Sequence, residues 1–305
     1  MGEGMSKQND LGWRGAWAAI PTPFGENGEL CIDALSRHVA FLCANGIDGI
    51  VACGTTGESA TLSTSERAKV LEATLSAAAG RVPVIAGVGT NDTKTTIAYG
   101  LEAKAGGADG LLVVTPYYNK PNQEGQFRHF MAVADAVDLP QILYNVPGRT
   151  GTRCLPETLG RLNAHDNIVG IKDATADMVV ATQTRCAAGQ DFLMFSGDDG
   201  TTLPFISVGG IGAISVVANV APRLMHDIIA KALEGQYDEA RALHERMLPL
   251  CLALFSDTSP IPLKAMLAAT PMAYPKALRS PLFAMSDTQQ AALCAPFANL
   301  LAEIV

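Results

Sequence analysis

Runs of apolar, largely β-branched or small residues recur along the chain: AWAAI (16–20), GIVAC (49–53), VPVIAGV (82–88), GLLVVT (110–115), QILYNV (141–146), IVGIK (168–172), FLMFSG (192–197) and GAISVV (212–217). Their starts are roughly twenty to thirty-five residues apart. Each run is near-continuously apolar rather than alternating, the pattern of a strand covered on both faces. Between most of them lie amphipathic stretches with apolar positions at helical spacing, opened by capping residues. Asp33 stands before ALSRHVAFLCAN as one expected cap. Ser63 and Glu66 match the S-x-x-E capping box of a second helix, with Gly80 as its stop.

Strands alternating with helices predict a parallel sheet. Eight such units in about 220 residues predict a closed (β/α)8 barrel, a TIM barrel. The alternative, an open doubly wound sheet, usually carries a Gly-rich dinucleotide turn. Here GVGTND has Asp92 where the third glycine of G-x-G-x-x-G belongs, and GGIGAIS fails likewise at Ser215. Beyond the eighth run, RLMHDIIAKALEG, DEARALHERMLPLCLALF and IPLKAMLAA read as helices. The expected organisation is a disordered leader over 1–12, a barrel carrying the site over 13–235, and a C-terminal helical appendage over 236–305.

Composition narrows the function. Hydrophobic residues make up 48% of the 305 and charged residues 17%, as in a globular protein with a large core. The net charge is −8 and the basic residues are scattered, so neither a nucleic-acid nor a membrane surface is marked. Small anionic substrates stay open, because one arginine can set the local potential. The seven cysteines form no C-x-x-C pair, which points to reduced thiols rather than a disulfide framework or a zinc knuckle. The polar start MGEGMSKQND lacks a signal-peptide core and no run is long enough to span a bilayer, so a cytoplasmic protein is expected.

In a TIM barrel, chemistry sits at the C-terminal strand ends. Those ends carry Thr55 and Thr56 in CGTTGES, Tyr117 and Tyr118 in TPYYN, and Tyr144 and Arg149 in YNVPGRTG. Lys172 follows in VGIKDAT, Ser196 and Gly197 in FSG, and Ile214 and Ser215 in AIS. For the fragment NIVGIKDAT alone, a lysine reaching solvent is the simpler outcome. The whole inventory favours another: one amine, several hydroxyls and one guanidinium, with no histidine and almost no carboxylate apart from Glu58 and Asp173. No metal site is expected, since His38, His129, His165, His226 and His244 all fall away from strand ends. A desolvated lysine has a lowered pKa and acts as a nucleophile that forms a Schiff base with a ketone. Hydroxyls can relay its protons. Alternation places Tyr144 and Lys172 at the same depth, with Gly170 leaving room beneath the lysine. The threonine turn suits a carboxylate and Arg149 a second anion.

GTTGESATL, VTPYYNKP, YNVPGRTG and VGIKDAT resemble the dihydrodipicolinate synthase family from about Trp13 to the C-terminal helices. The wider superfamily includes N-acetylneuraminate lyase and keto-deoxy sugar-acid aldolases, which share the lysine, the G-[ST]-T-G-E turn and the tyrosine. The resemblance implies that Lys172 forms a Schiff base with pyruvate, with no other cofactor, and that its enamine attacks aspartate semialdehyde on the route to diaminopimelate and lysine. It implies a proton relay of Thr55, Tyr144 and Tyr118, with Tyr118 reaching in from a neighbouring subunit of a homotetramer built as a dimer of dimers. It assigns Thr56 to the pyruvate carboxylate, Arg149 to the semialdehyde carboxylate, and Gly197 and Ile214 to the wall of the site.

Ser59, Asn91 and Tyr117 match the family's lysine-feedback site. Thr64 and Thr95 stand where lysine-inhibited members carry a histidine and a glutamate, which implies weak or absent feedback. Two alternatives remain: a lyase that cleaves a keto-deoxy sugar acid to pyruvate and an aldehyde, and a silent barrel that only binds a keto acid. Arg149 favours a small dianionic partner over a polyol. The intact set Lys172, Tyr144, Thr55 and Tyr118 disfavours the silent barrel.

Overall fold

A computed structural model describes residues 11–304. Most of the expected leader, residues 1–10, lies outside the described residues. The eight apolar runs form eight strands: β1 Gly15–Ala19, β2 Gly49–Ala52, β3 Val84–Gly87, β4 Gly110–Val114, β5 Gln141–Asn145, β6 Ile168–Asp173, β7 Leu193–Ser196 and β8 Gly212–Ser215. All pair in parallel, in chain order, and β8 closes on β1. This is the (β/α)8 barrel the periodicity predicts.

Helices separate the strands: α1 Ile32–Ala44, α2 Thr64–Ala78, α3 Thr93–Ala105, α4 Gln123–Ala136, the short α5 Pro147–Thr150, α6 Pro156–Leu162, α7 Met178–Ala188, α8 Thr202–Ser207 and α9 Pro222–Leu233. The C-terminal part adds α10 Tyr237–Leu254, α11 Ile261–Ala268, α12 Asp287–Cys294 and α13 Ala298–Ala302. The capping box at Ser63 is formed in both directions, a feature worth about 1 kcal/mol. That helix ends at Ala78, two residues before the expected glycine, with Ala79 itself left-handed at φ 51° and Gly80 following at φ 69°. Asp33 is not the cap of α1. The helix begins at Ile32 after Cys31, which leaves Asp33 in the first turn, where a carboxylate still favours the positive end of the helix dipole.

Two apolar cores result. One lies between strands and helices. The other fills the barrel, where Trp17 packs edge-on against Trp13 and Phe195 at centroid distances of 5.2 and 5.5 Å, with Val51, Ile85, Leu112, Ile142, Leu193 and Ile214 around them. The lumen is therefore a solid, water-excluding floor. The described cysteines are all free thiols, and no described helix is long and apolar enough to cross a membrane.

Candidate active site

Lys172 is the second-last residue of β6, and the pairing with β5 sets it directly across from Tyr144. A register shift between Gln141 and Ile142 contributes to that alignment. The amine lies 4.5 Å from the Tyr144 ring centroid. Lys172 is only 5% exposed. Burial pushes its pKa down to about 8; Asp199 pulls it back up and Arg149 pushes it further down. At pH 7 roughly a tenth of such an amine is neutral, against about one part in three thousand for an ordinary lysine. The end of the strand thus carries a buried, partly neutral amine rather than a solvated charge.

Tyr144 is buried and its phenol is pushed up to about 12, first by burial, with Arg149 and a hydrogen bond to Thr55 opposing. It stays protonated at neutral pH and is linked to a hydroxyl that can pass a proton on. Thr55 sits in a tight turn in which Gly57 N–H donates to Gly54 O (3.1 Å) and Glu58 N–H to Thr55 O (3.0 Å). Cys53 and Glu58, on either side, are held left-handed at φ 54° and 53°, a costly conformation for residues with a Cβ. Thr56 is buried in the same turn.

Gly197 is required where it stands. A Cβ there would lie 3.1 Å from Cγ and Cε of Lys172 and 2.9 Å from the Ala174 methyl. Gly170 does not act as expected: its missing Cβ would meet the Leu193 backbone at 2.3 Å, so it lets β7 approach and opens no room under the lysine. Ile214 is buried in the barrel core, paired in register with Trp17. Arg149, in α5, is exposed toward a cavity of about 600 Å³ and donates to Ser259 O at 3.2 Å. That cavity is lined by Thr55, Val146 and Arg149, and also by Thr258, Ser259 and Leu282 from the C-terminal part. Tyr118 is not brought in. It is 88% exposed and left-handed at φ 70°, whereas Lys172 and Tyr144, which like it do not line the cavity, are buried.

The carboxylate inventory needs correction. Asp199, just past β7, is buried and coupled to Lys172. Its Oδ2 accepts from the N–H groups of Val216 and Val217, both at 3.0 Å, and burial raises its pKa. The Asp-Asp pair in FSGDD was the available signal, although it reads as an ordinary turn. Asp173 is buried off the lysine's face, its Oδ1 accepting from Thr175 N–H at 2.8 Å. Glu58 pairs with Lys264. Lys264 is a second buried lysine whose pKa burial pushes down to about 8, but its ammonium donates to Glu58 and to Ala277 O. A cation fixed in a buried ion pair is a poor nucleophile, so Lys172 is the reactive candidate.

Ser59, Asn91, Thr95 and Tyr117 also line the cavity, whereas Thr64 does not. Thr95 is committed to Asp92, whose Oδ2 accepts from its N–H and its hydroxyl. Arg67 adds a cation there, stacked 4.3 Å over Tyr99 and donating to Ser59 O and Gly87 O.

Comparison with known proteins gives the family and the fold. The model of the dihydrodipicolinate synthetase family matches residues 13–298. The 4-hydroxy-tetrahydrodipicolinate synthase of Pseudomonas savastanoi pv. phaseolicola is 50% identical over 250 residues, 82% of this chain and 86% of that protein. The crystal structure of dihydrodipicolinate synthase from Aquifex aeolicus superposes with a TM-score of 0.92 at 41% identity, covering 95% of this chain and 100% of that one. The Acinetobacter baumannii dihydrodipicolinate synthase, solved in complex with pyruvate, gives a TM-score of 0.92 at 38% identity over 96% and 99% of the two chains. A barrel with a buried lysine beside a tyrosine, and a family match over nearly its whole length, lead to one conclusion: the chain belongs to the dihydrodipicolinate synthetase family.

Proposed function

We propose that the protein is a pyruvate-dependent Schiff-base lyase with the activity of its named relatives, 4-hydroxy-tetrahydrodipicolinate synthase, joining pyruvate to L-aspartate 4-semialdehyde. The observation that carries this is the buried Lys172 amine, lowered to about 8 beside the Tyr144 phenol, in a chain of this family. Neutral Nζ adds to C2 of pyruvate. The resulting hydroxyl leaves as water with a proton supplied through Tyr144 and Thr55, giving an iminium. The positive nitrogen acidifies the C3 methyl, and loss of one proton gives the enamine. C3 then bonds to the aldehyde carbon of the semialdehyde, whose oxygen takes up a proton to become the 4-hydroxyl. Attack of the semialdehyde amine on C2 closes the ring and releases Lys172. One water is lost overall.

Thr56 and the turn amides hold the pyruvate carboxylate, and Arg149 the carboxylate of the semialdehyde. Gly197 keeps the approach to Lys172 clear and Ile214 forms the apolar wall. The relay is completed by Tyr118 of a neighbouring subunit in a homotetramer, which accounts for an 88% exposed, left-handed tyrosine at a barrel mouth. The covalent iminium is the electron sink, so the reaction needs no metal or further cofactor. We place the enzyme in the cytoplasm, with its pathway. Borohydride reduction in the presence of pyruvate should add one reduced pyruvyl group to the peptide carrying Lys172. A mass gain on Lys264 instead, or none, would contradict the assignment.

The lowered pKa makes a pH prediction. Only the neutral amine attacks, so the trapping rate at limiting pyruvate should climb about tenfold per unit below pH 8 and level off above it. A flat profile between pH 6 and 8 would mean that another step is being observed. Feedback by lysine should be weak: no glutamate stands at position 95, Thr95 occupies Asp92, and the Arg67 guanidinium opposes an incoming ammonium. A titration giving half-inhibition at modest lysine concentration would overturn this.

A further inference from the structure

Among the described residues, a buried polar cluster outside the reacting groups ties the threonine turn to the C-terminal helices. The Glu58 and Lys264 side chains are 2% and 0% exposed and form an ion pair across 206 residues of sequence, from the β2 turn to α11. The remaining Glu58 oxygen, Oε2, accepts from Arg279 N–H at 3.0 Å. Lys264 also donates to Ala277 O at 2.8 Å and lies over the Phe24 ring. Arg279 stacks on Phe24 as well, at 4.2 Å, donates to Thr61 O at 2.8 Å and pairs with Glu66. Every bond of the Glu58 carboxylate therefore goes to the C-terminal part of the chain. Its own backbone is held at φ 53° and its N–H closes the turn on Thr55 O.

A fully buried ion pair is weak evidence for stability, because desolvation offsets the attraction; its better-attested use is to fix one geometry. The strained residue it anchors is three positions from Thr55, whose hydroxyl must meet Tyr144. We infer that Glu58 is a positioning residue for the reaction proposed above: through Lys264 and Arg279 it clamps the Thr55–Thr56 turn against the C-terminal helices and fixes the relay hydroxyl. The appendage is thereby part of the catalytic scaffold.

The inference rests on the proposed reaction and is tested by a double-mutant cycle between Glu58→Gln and Thr55→Val, read in turnover. Glu58→Gln should lower kcat by about tenfold to hundredfold, the scale of a slightly misplaced group. In the Thr55→Val background it should cost less than about twofold, because the hydroxyl it positions is gone. Lys264→Met should show the same dependence on Thr55. Should Glu58→Gln fail to fold, Glu58→Asp keeps the charge, shortens the reach and serves in the same cycle. Equal losses in both backgrounds, or a lowered melting temperature with unchanged kcat, would overturn the inference while the reaction stood. A wild-type protein without turnover would overturn the reaction and the inference together.

Discussion

Lys172→Met should abolish turnover, by about 10⁴-fold or more, while the barrel still folds. The size of the loss follows from the chemistry: without Nζ there is no iminium, so the pyruvate methyl has no electron sink and the enamine cannot form. Methionine fills the space of the lysine stem and removes a charge that burial disfavours, so the β6 mouth should stay packed. Lys172→Arg should be as inactive, because a guanidinium keeps its proton throughout the working range. Lys264 cannot substitute, locked as it is on Glu58 and Ala277 O. Steady-state turnover together with circular dichroism checks the result. A folded Lys172→Met variant within a hundredfold of wild type would mean that a different group activates the carbonyl.

Tyr144→Phe should lower kcat by about 10²–10⁴-fold and leave KM for pyruvate within about threefold. The ring that flanks the amine is retained, so the lysine environment changes little. What disappears is the hydroxyl joined to Thr55, and with it the route by which the carbinolamine receives its proton. With the Thr56 turn unaltered, pyruvate should bind nearly as before. Borohydride trapping should slow in parallel with turnover, because dehydration to the iminium uses the same relay. If kcat fell by less than threefold, the phenol would be a packing group only.

The fold was legible because each strand of a parallel barrel is covered on both faces and shows as an apolar run, and all eight runs form strands. The lateral match of Tyr144 with Lys172 followed from alternation, although the register shift behind it at Gln141 leaves no mark in composition. Three features were not legible. Asp199 belongs to a turn whose sequence looks like any polar loop, and only the closed barrel buries it within electrostatic reach of the lysine. The Glu58–Lys264 pair joins residues 206 apart, beyond any local spacing rule. Asp33 looked like a cap, but the chain enters the helix at Ile32. Local pattern thus identified which residues stand at the strand ends, whereas long-range packing decided what surrounds them.

The proposed reaction joins pyruvate to aspartate semialdehyde at Lys172. Its most direct test supplies purified protein with both compounds, couples product formation to the next reductase of the pathway, and follows nicotinamide oxidation. Turnover should require pyruvate and semialdehyde together and disappear in Lys172→Met. Protein that traps pyruvate on Lys172 yet turns over no semialdehyde would contradict it.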